Sequence, residues 1–67
     1  MQISVRNKLA GTVKEVILGA VMAEIIIQVG DNQVVSAITK DAAEDLALKV
    51  GDKVTALIKS TSVMVQK

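Results

Sequence analysis

Val21-Met22-Ala23-Glu24-Ile25-Ile26-Ile27-Gln28-Val29, then Gly30-Asp31-Asn32, then Gln33-Val34-Val35-Ser36-Ala37-Ile38 is the stretch from which the fold can be read. Both outer runs are rich in β-branched residues, which suit a pleated, half-buried surface. Between them Gly30 and Asn32 tolerate positive φ, so the three residues spell a hairpin turn. Three consecutive isoleucines, Ile25 to Ile27, point to both faces of a sheet, and both faces are expected to be covered there. A second subunit is the expected cover.

Toward the N-terminus, Gly19-Ala20 is the turn that precedes this run, and Thr12 to Leu18 reads as the strand before it. Asn7, Lys8 and Gly11 bracket a short break. Gln2 to Lys8 alternates Ile3 and Val5 with Ser4 and Arg6, the period of two of a half-buried strand. Toward the C-terminus the period changes at Thr39. Asp41 and Glu44 come early, alanines run through the middle and apolar residues recur at helical spacing, so a short helix is expected over about residues 40–48. Thr39 is its N-cap, and the early acids complement the helix dipole. Gly51-Asp52 then turns the chain into a strand over Val54 to Lys59, and Val63 to Val65 closes it. The order implies a mainly β fold, a small OB-like Greek-key barrel with one short helix. Residues 1–67 read as a single domain, without linker, low-complexity segment or repeat.

Size and composition bear on assembly. A chain of 67 residues buries only roughly 60% of the surface its unfolded form exposes, so its core is marginal alone. Chains this short are usually reinforced by a disulfide, a metal or a partner subunit. There is no Cys and no His, while 51% of residues are hydrophobic and the mean hydropathy is +0.48. Self-association is therefore expected. Lys14, Glu15, Glu24 and Gln28 interrupt the longest apolar run, so no membrane span is expected. Met1 to Arg6 lacks the long apolar core of a secretory signal, which makes the cytoplasm the expected location.

The missing residue types exclude several functions. Without His or Cys there is no common nucleophile–base pair and no soft metal site, and the acids fall mostly at turns or on the helix, so no enzyme activity is expected. Small barrels that hold single-stranded nucleic acid stack bases on aromatic rings, and this chain has none. A net charge of +1 supplies no general field for nucleic acid or membrane. Three polar clusters remain: Ser4-Val5-Arg6-Asn7, Thr39-Lys40 and Lys59-Ser60-Thr61-Ser62. A tetrahedral dianion needs about two positive charges and several short donors. Arg6 offers a bidentate fork, Lys59 a point charge, and Ser4, Thr39 and Ser60 hydroxyls. Each also has a plain explanation: Ser4 and Arg6 as the wet face of an edge strand, Thr39 as a cap, Lys59 as a charge that keeps an edge from pairing.

Five pieces in order, Ser4-x-Arg6-Asn7-x-Leu9-x-Gly11, Gly19-Ala20-Val21-x-Ala23-Glu24, Ala37-Ile38-Thr39, Leu48-x-Val50-Gly51-Asp52 and Ile58-Lys59-Ser60-x-Ser62-Val63, resemble the molbindin (Mop) family of molybdate-binding proteins. The resemblance runs from Ser4 to Val65, and the length matches a free-standing single Mop domain. It implies strand exchange between subunits and a homohexamer, a trimer of dimers, that stores or buffers molybdate and tungstate in the cell. It also implies no catalytic residue, no catalytic cofactor and no direct protein ligand to the metal. Carried over by position, one interface site would use Ser4, the backbone around Val5, Arg6, Thr39, Lys59 and Ser60, drawn from two subunits. Ser4 and Arg6 are expected on a different subunit from Lys59. A second, axial site near the threefold axis would use Gly19, Ala20, Val21 and Lys40. Val5, where many relatives have Ala, departs from the pattern, which matters little if its backbone makes the contact. Thr61 and Ser62 are expected to serve the turn. The competing reading is an oligomeric small-barrel interaction or nucleic-acid-binding module with no oxyanion ligand.

Overall fold

The computed structural model describes residues 5–67. Its elements follow as β1 (Asn7–Leu18), β2 (Met22–Val29), β3 (Asn32–Thr39), α1 (Lys40–Asp45) and β4 (Lys53–Ile58), with a 3-10 turn over Ser60–Ser62. The strands form one antiparallel sheet in the order β3-β2-β1-β4. The expected class, mainly β with one short helix, is the one observed.

The opening stretch forms as read. Val29 pairs with Asn32, leaving Gly30-Asp31 as a two-residue hairpin loop. Gly30 alone of the two has positive φ, at 58°, the pattern of a type II′ turn, which suits the right-handed twist of the strands it joins. Of the three isoleucines, Ile25 and Ile27 are buried and Ile26 is half-buried, so one chain covers one face fully and the other in part.

The break expected at Asn7, Lys8 and Gly11 is absent, because β1 runs unbroken through them. Asn7 to Thr12 pair with β4, and from Thr12 onward the strand pairs with β2. Gly11 marks a close approach. A Cβ built there would lie 2.5 Å from the Gln28 carbonyl oxygen and 2.7 Å from Ile27 Cγ2, so only glycine lets β2 cross so near. An extra residue, Lys14, bulges between the Val13 and Glu15 pairings, which bends the strand where its partners change. Gln2, Ile3 and Ser4 of the first expected strand lie outside the described residues, and Val5 and Arg6 precede β1 without strand pairing.

The helix is shorter than expected, ending at Asp45 rather than Leu48. Its start is as read, with the Ala42 N–H donating to Thr39 Oγ1 at 3.0 Å. Its end is a Schellman motif: Ala47 N–H donates to the Glu44 carbonyl at 2.9 Å and Leu48 N–H to the Ala43 carbonyl at 3.2 Å. The left-handed position falls on Ala47, at φ 51°. An alanine carries no stop signal, which is why helical spacing reads on to Leu48. The next turn, Lys49 to Asp52, has Gly51 at φ 96°, and Asp52 Oδ2 accepts from the Lys49 N–H at 3.0 Å.

The strand expected at Val63 to Val65 is not formed. Val63 has extended backbone but no partner strand among the described residues, and Met64 and Val65 are each 93% exposed. The core of the described residues is correspondingly small: Val13, Ala23, Ile25, Ile27, Ala43 and Ala56, three of them alanines. β3 and β4 are the two sheet edges and do not pair with each other. A largely apolar groove of about 470 Å³ includes Ile25, Ile27, Val34, Ile38, Val54 and Ala56 in its lining.

Candidate functional site

β1 and β4 meet last at the pair Asn7 and Ile58. One residue beyond this rung stand Arg6 on one side and Lys59 on the other, both exposed. After Ile58 the backbone stays extended at Lys59, with φ −62° and ψ 139°, and then winds into the turn over Ser60–Ser62. That turn is closed by the Ser62 N–H donating to the Lys59 carbonyl at 2.9 Å, so Thr61 and Ser62 serve the turn as expected. One chain thus brings Val5, Arg6, Lys59 and Ser60 to the same end of the sheet. Arg6 and Lys59, expected on different subunits, flank one rung of a single chain. Ser4 lies outside the described residues.

Thr39 is elsewhere. It pairs with Met22, beyond the Leu18 end of β1, whereas Asn7 opens that 12-residue strand. The other candidates gather around it. Gly19 N–H donates to the Met22 carbonyl at 2.8 Å, which folds Ala20 and Val21 into a two-residue loop, and Lys40 N–H donates to the Val21 carbonyl at 2.7 Å. Gly19, Ala20, Val21 and Lys40 are therefore neighbours. Thr39 Oγ1 already accepts the capping bond, and its hydroxyl hydrogen stays available to donate.

The charges at the two ends differ. Among the described residues the single ion pair joins Lys40 Nζ to Glu44 Oε1 at 3.9 Å, and it is largely solvent-exposed. Arg6 and Lys59 have no carboxylate partner among those residues. Two cations close together without a counter-charge repel each other and favour an anion between them. Sequence reading missed two residues here. Asn7, read as part of a break, donates from Nδ2 to the Ile58 carbonyl at 3.1 Å and ties the strands beside both cations. Glu44, read only as a helix charge, lies four residues after Lys40, the spacing that brings side chains together on a helix.

Among the described residues there is no group of three or more His, Cys, Asp or Glu able to hold a metal ion, and no helix long and apolar enough to cross a membrane. Residues 3–65 match the TOBE domain family. Molybdenum-pterin-binding protein 3 of Clostridium pasteurianum is 47% identical over 66 residues, which cover 97% of each chain. The solved structure of a molybdate-binding protein from Sporomusa ovata superposes with a TM-score of 0.94 at 52% identity, covering all of both chains. The cytoplasmic molybdate-binding protein ModG, solved with molybdate bound, superposes with a TM-score of 0.88 at 38% identity, over 96% of this chain and 46% of that one.

Proposed function

This chain belongs to the TOBE domain family, among the molbindin (Mop) proteins, and we propose that it binds molybdate at contacts between its subunits, without catalysis. The observation that carries this reading is the placing of Arg6 and Lys59 across the last described β1–β4 rung, without a carboxylate partner among the described residues and beside Ser60. A bidentate guanidinium, an ammonium and a hydroxyl suit an oxyanion that accepts at every oxygen. The Val5 backbone adds to this end of the site, and Ser4, outside the described residues, is included on the family resemblance alone.

Thr39 is the sixth member of the interface site, and it stands at the other end of β1 from Arg6. It joins the site from a second subunit. Its hydroxyl donates to the anion while accepting the helix cap. The axial site takes the Gly19-Ala20-Val21 loop and Lys40 near a threefold axis. The apolar surface around that loop supports assembly there, since Val21 is 72% exposed and Ile17, Leu18 and Met22 are about half exposed. The assembly is a homohexamer, a trimer of dimers, in which strand exchange covers the groove between β3 and β4.

Assembly and binding are coupled in this arrangement. Gathering Arg6 and Lys59 at an interface strips them of water and sets like charges together, which a dianion reverses. Discrimination against sulfate follows from size, because donors held at the longer metal–oxygen radius of molybdate cannot all reach a smaller anion. Phosphate keeps a proton that an all-donor site cannot accept. Tungstate, of nearly the same size as molybdate, binds as well. The role is storage or buffering in the cytoplasm.

A thermal unfolding series tests the reading. Molybdate at 100 times its dissociation constant should stabilise the bound form by about 2.7 kcal/mol, while equal sulfate should do much less. Equal effects of the two anions would overturn it. An equilibrium titration with a mass measurement of the assembly gives the stoichiometry.

A further inference from the structure

We propose that Asn7 is a positioning residue that sets the separation of Arg6 and Lys59 and thereby the size of anion this end of the molecule accepts. The inference rests on the oxyanion reading above and extends it to a residue that does not touch the anion. Among the described residues, the bond from Asn7 Nδ2 to the Ile58 carbonyl, 3.1 Å long, is the one side-chain hydrogen bond that links residues far apart in sequence. Both residues are half-buried, so the bond is partly shielded from competing water.

Its place decides its effect. Asn7 and Ile58 are the last register pair of β1 and β4. Arg6 follows on one strand and Lys59 on the other, and past Lys59 the chain turns away into the bend at Ser60–Ser62. Two cations at the open end of a strand pair push the strands apart. Among the described residues the main-chain ladder ends at this rung, and a terminal rung frays readily. The Asn7 amide adds a bond at that point, from a side chain to the opposite backbone, and opposes the splaying. Size selection needs donors held at a fixed radius, and small displacements at a binding site change recognition strongly. Held by Asn7, the two cations sit at one spacing. Released, they relax outward and accept anions of different radius with less distinction.

The test is an equilibrium titration of the assembled full chain with molybdate and with sulfate, comparing wild type, Asn7→Leu, Asn7→Ser and the core variant Val16→Ala. Leucine keeps the approximate volume and removes the donor; serine keeps a shorter donor that reaches Ile58 poorly. The expected result is that Asn7→Leu weakens molybdate on the order of tenfold, as expected when a half-buried hydrogen bond that positions the two cations is lost, and lowers the ratio of molybdate to sulfate affinity. Asn7→Ser falls between it and wild type. Val16→Ala, which loosens packing against the core, lowers the melting temperature without moving that ratio. The proposal is overturned if either Asn7 variant that folds loses thermal stability while keeping the wild-type ratio, since Asn7 is then only a stabilising rung. Wild type that binds no molybdate overturns the oxyanion reading and this inference together, and that outcome is visible before any variant is made.

Discussion

The Leu48 amide donates to the Ala43 carbonyl at 3.2 Å, closing the helix around an alanine in the left-handed conformation. That position ordinarily favours glycine, because a Cβ there crowds the backbone. Ala47→Gly is therefore expected to stabilise the fold by about 0.5–1 kcal/mol, the relief of crowding less the entropy glycine loses on folding. A denaturant titration with an unchanged slope and a higher midpoint is the expected result.

Gly11 makes the opposite case. It needs no unusual φ, yet a Cβ would sit 2.5 Å from a main-chain oxygen of β2. Backbone rather than a flexible side chain must move, so Gly11→Ala should cost about 1–3 kcal/mol. Chemical unfolding measures it, and a neutral result would mean that the Gln28 carbonyl of β2 does not approach Gly11 so closely.

Thr39 serves two ends at once in the proposed arrangement. Thr39→Ala removes the cap on Ala42 and should cost about 1 kcal/mol of stability. Thr39→Ser should restore both the stability and the anion affinity. A variant that recovered only the first would separate the cap from the ligand.

For Arg6 and Lys59 the expected signs run against ordinary surface mutation. Replacing either by Ala removes a like-charge neighbour, so stability without anion should hold or rise. Molybdate should lose its stabilising effect. Paired melting curves, with and without molybdate, read both quantities from one preparation.

Glu44 offers a check on the axial site. Lys40 and Glu44 are an exposed pair, with the cation toward the helix N-terminus, the less favourable orientation. Glu44→Gln should change stability by no more than about 0.5 kcal/mol. Anion binding that depends on Lys40 should tighten, as the competing carboxylate is gone. A double variant with Lys40→Ala should cancel that gain.

Where sequence and structure agree, a local signal existed. The isoleucine run, the Gly30 turn, the Thr39 cap and the Gly51 turn each depend on a residue or two and their immediate neighbours. Where they part, the cause lay at long range or in an absent signal. Nothing near Gly11 distinguishes a strand glycine pressed by β2 from a loop glycine. Ala47 ends a helix in a conformation that its side chain does not advertise. Val63 to Val65 carries strand composition without a strand beside it among the described residues. The candidate site divides in the same way. Its residue types were legible from charge and hydroxyl content, but the grouping of Arg6 with Lys59, and their distance along β1 from Thr39, depends on register that only the assembled sheet supplies.

The open groove between β3 and β4 has a further consequence for how the chain lives. Among the described residues, the eight of β3 and the six of β4 form sheet edges whose outward main-chain donors and acceptors pair with no further strand. Such edges recruit whatever strand arrives first. In the proposed assembly the hazardous interval for a newly made copy is the search for its own kind, and that interval shortens as copies accumulate. Abundance would then protect the protein, and scarce, isolated chains would be the ones most exposed to mispairing and proteolysis.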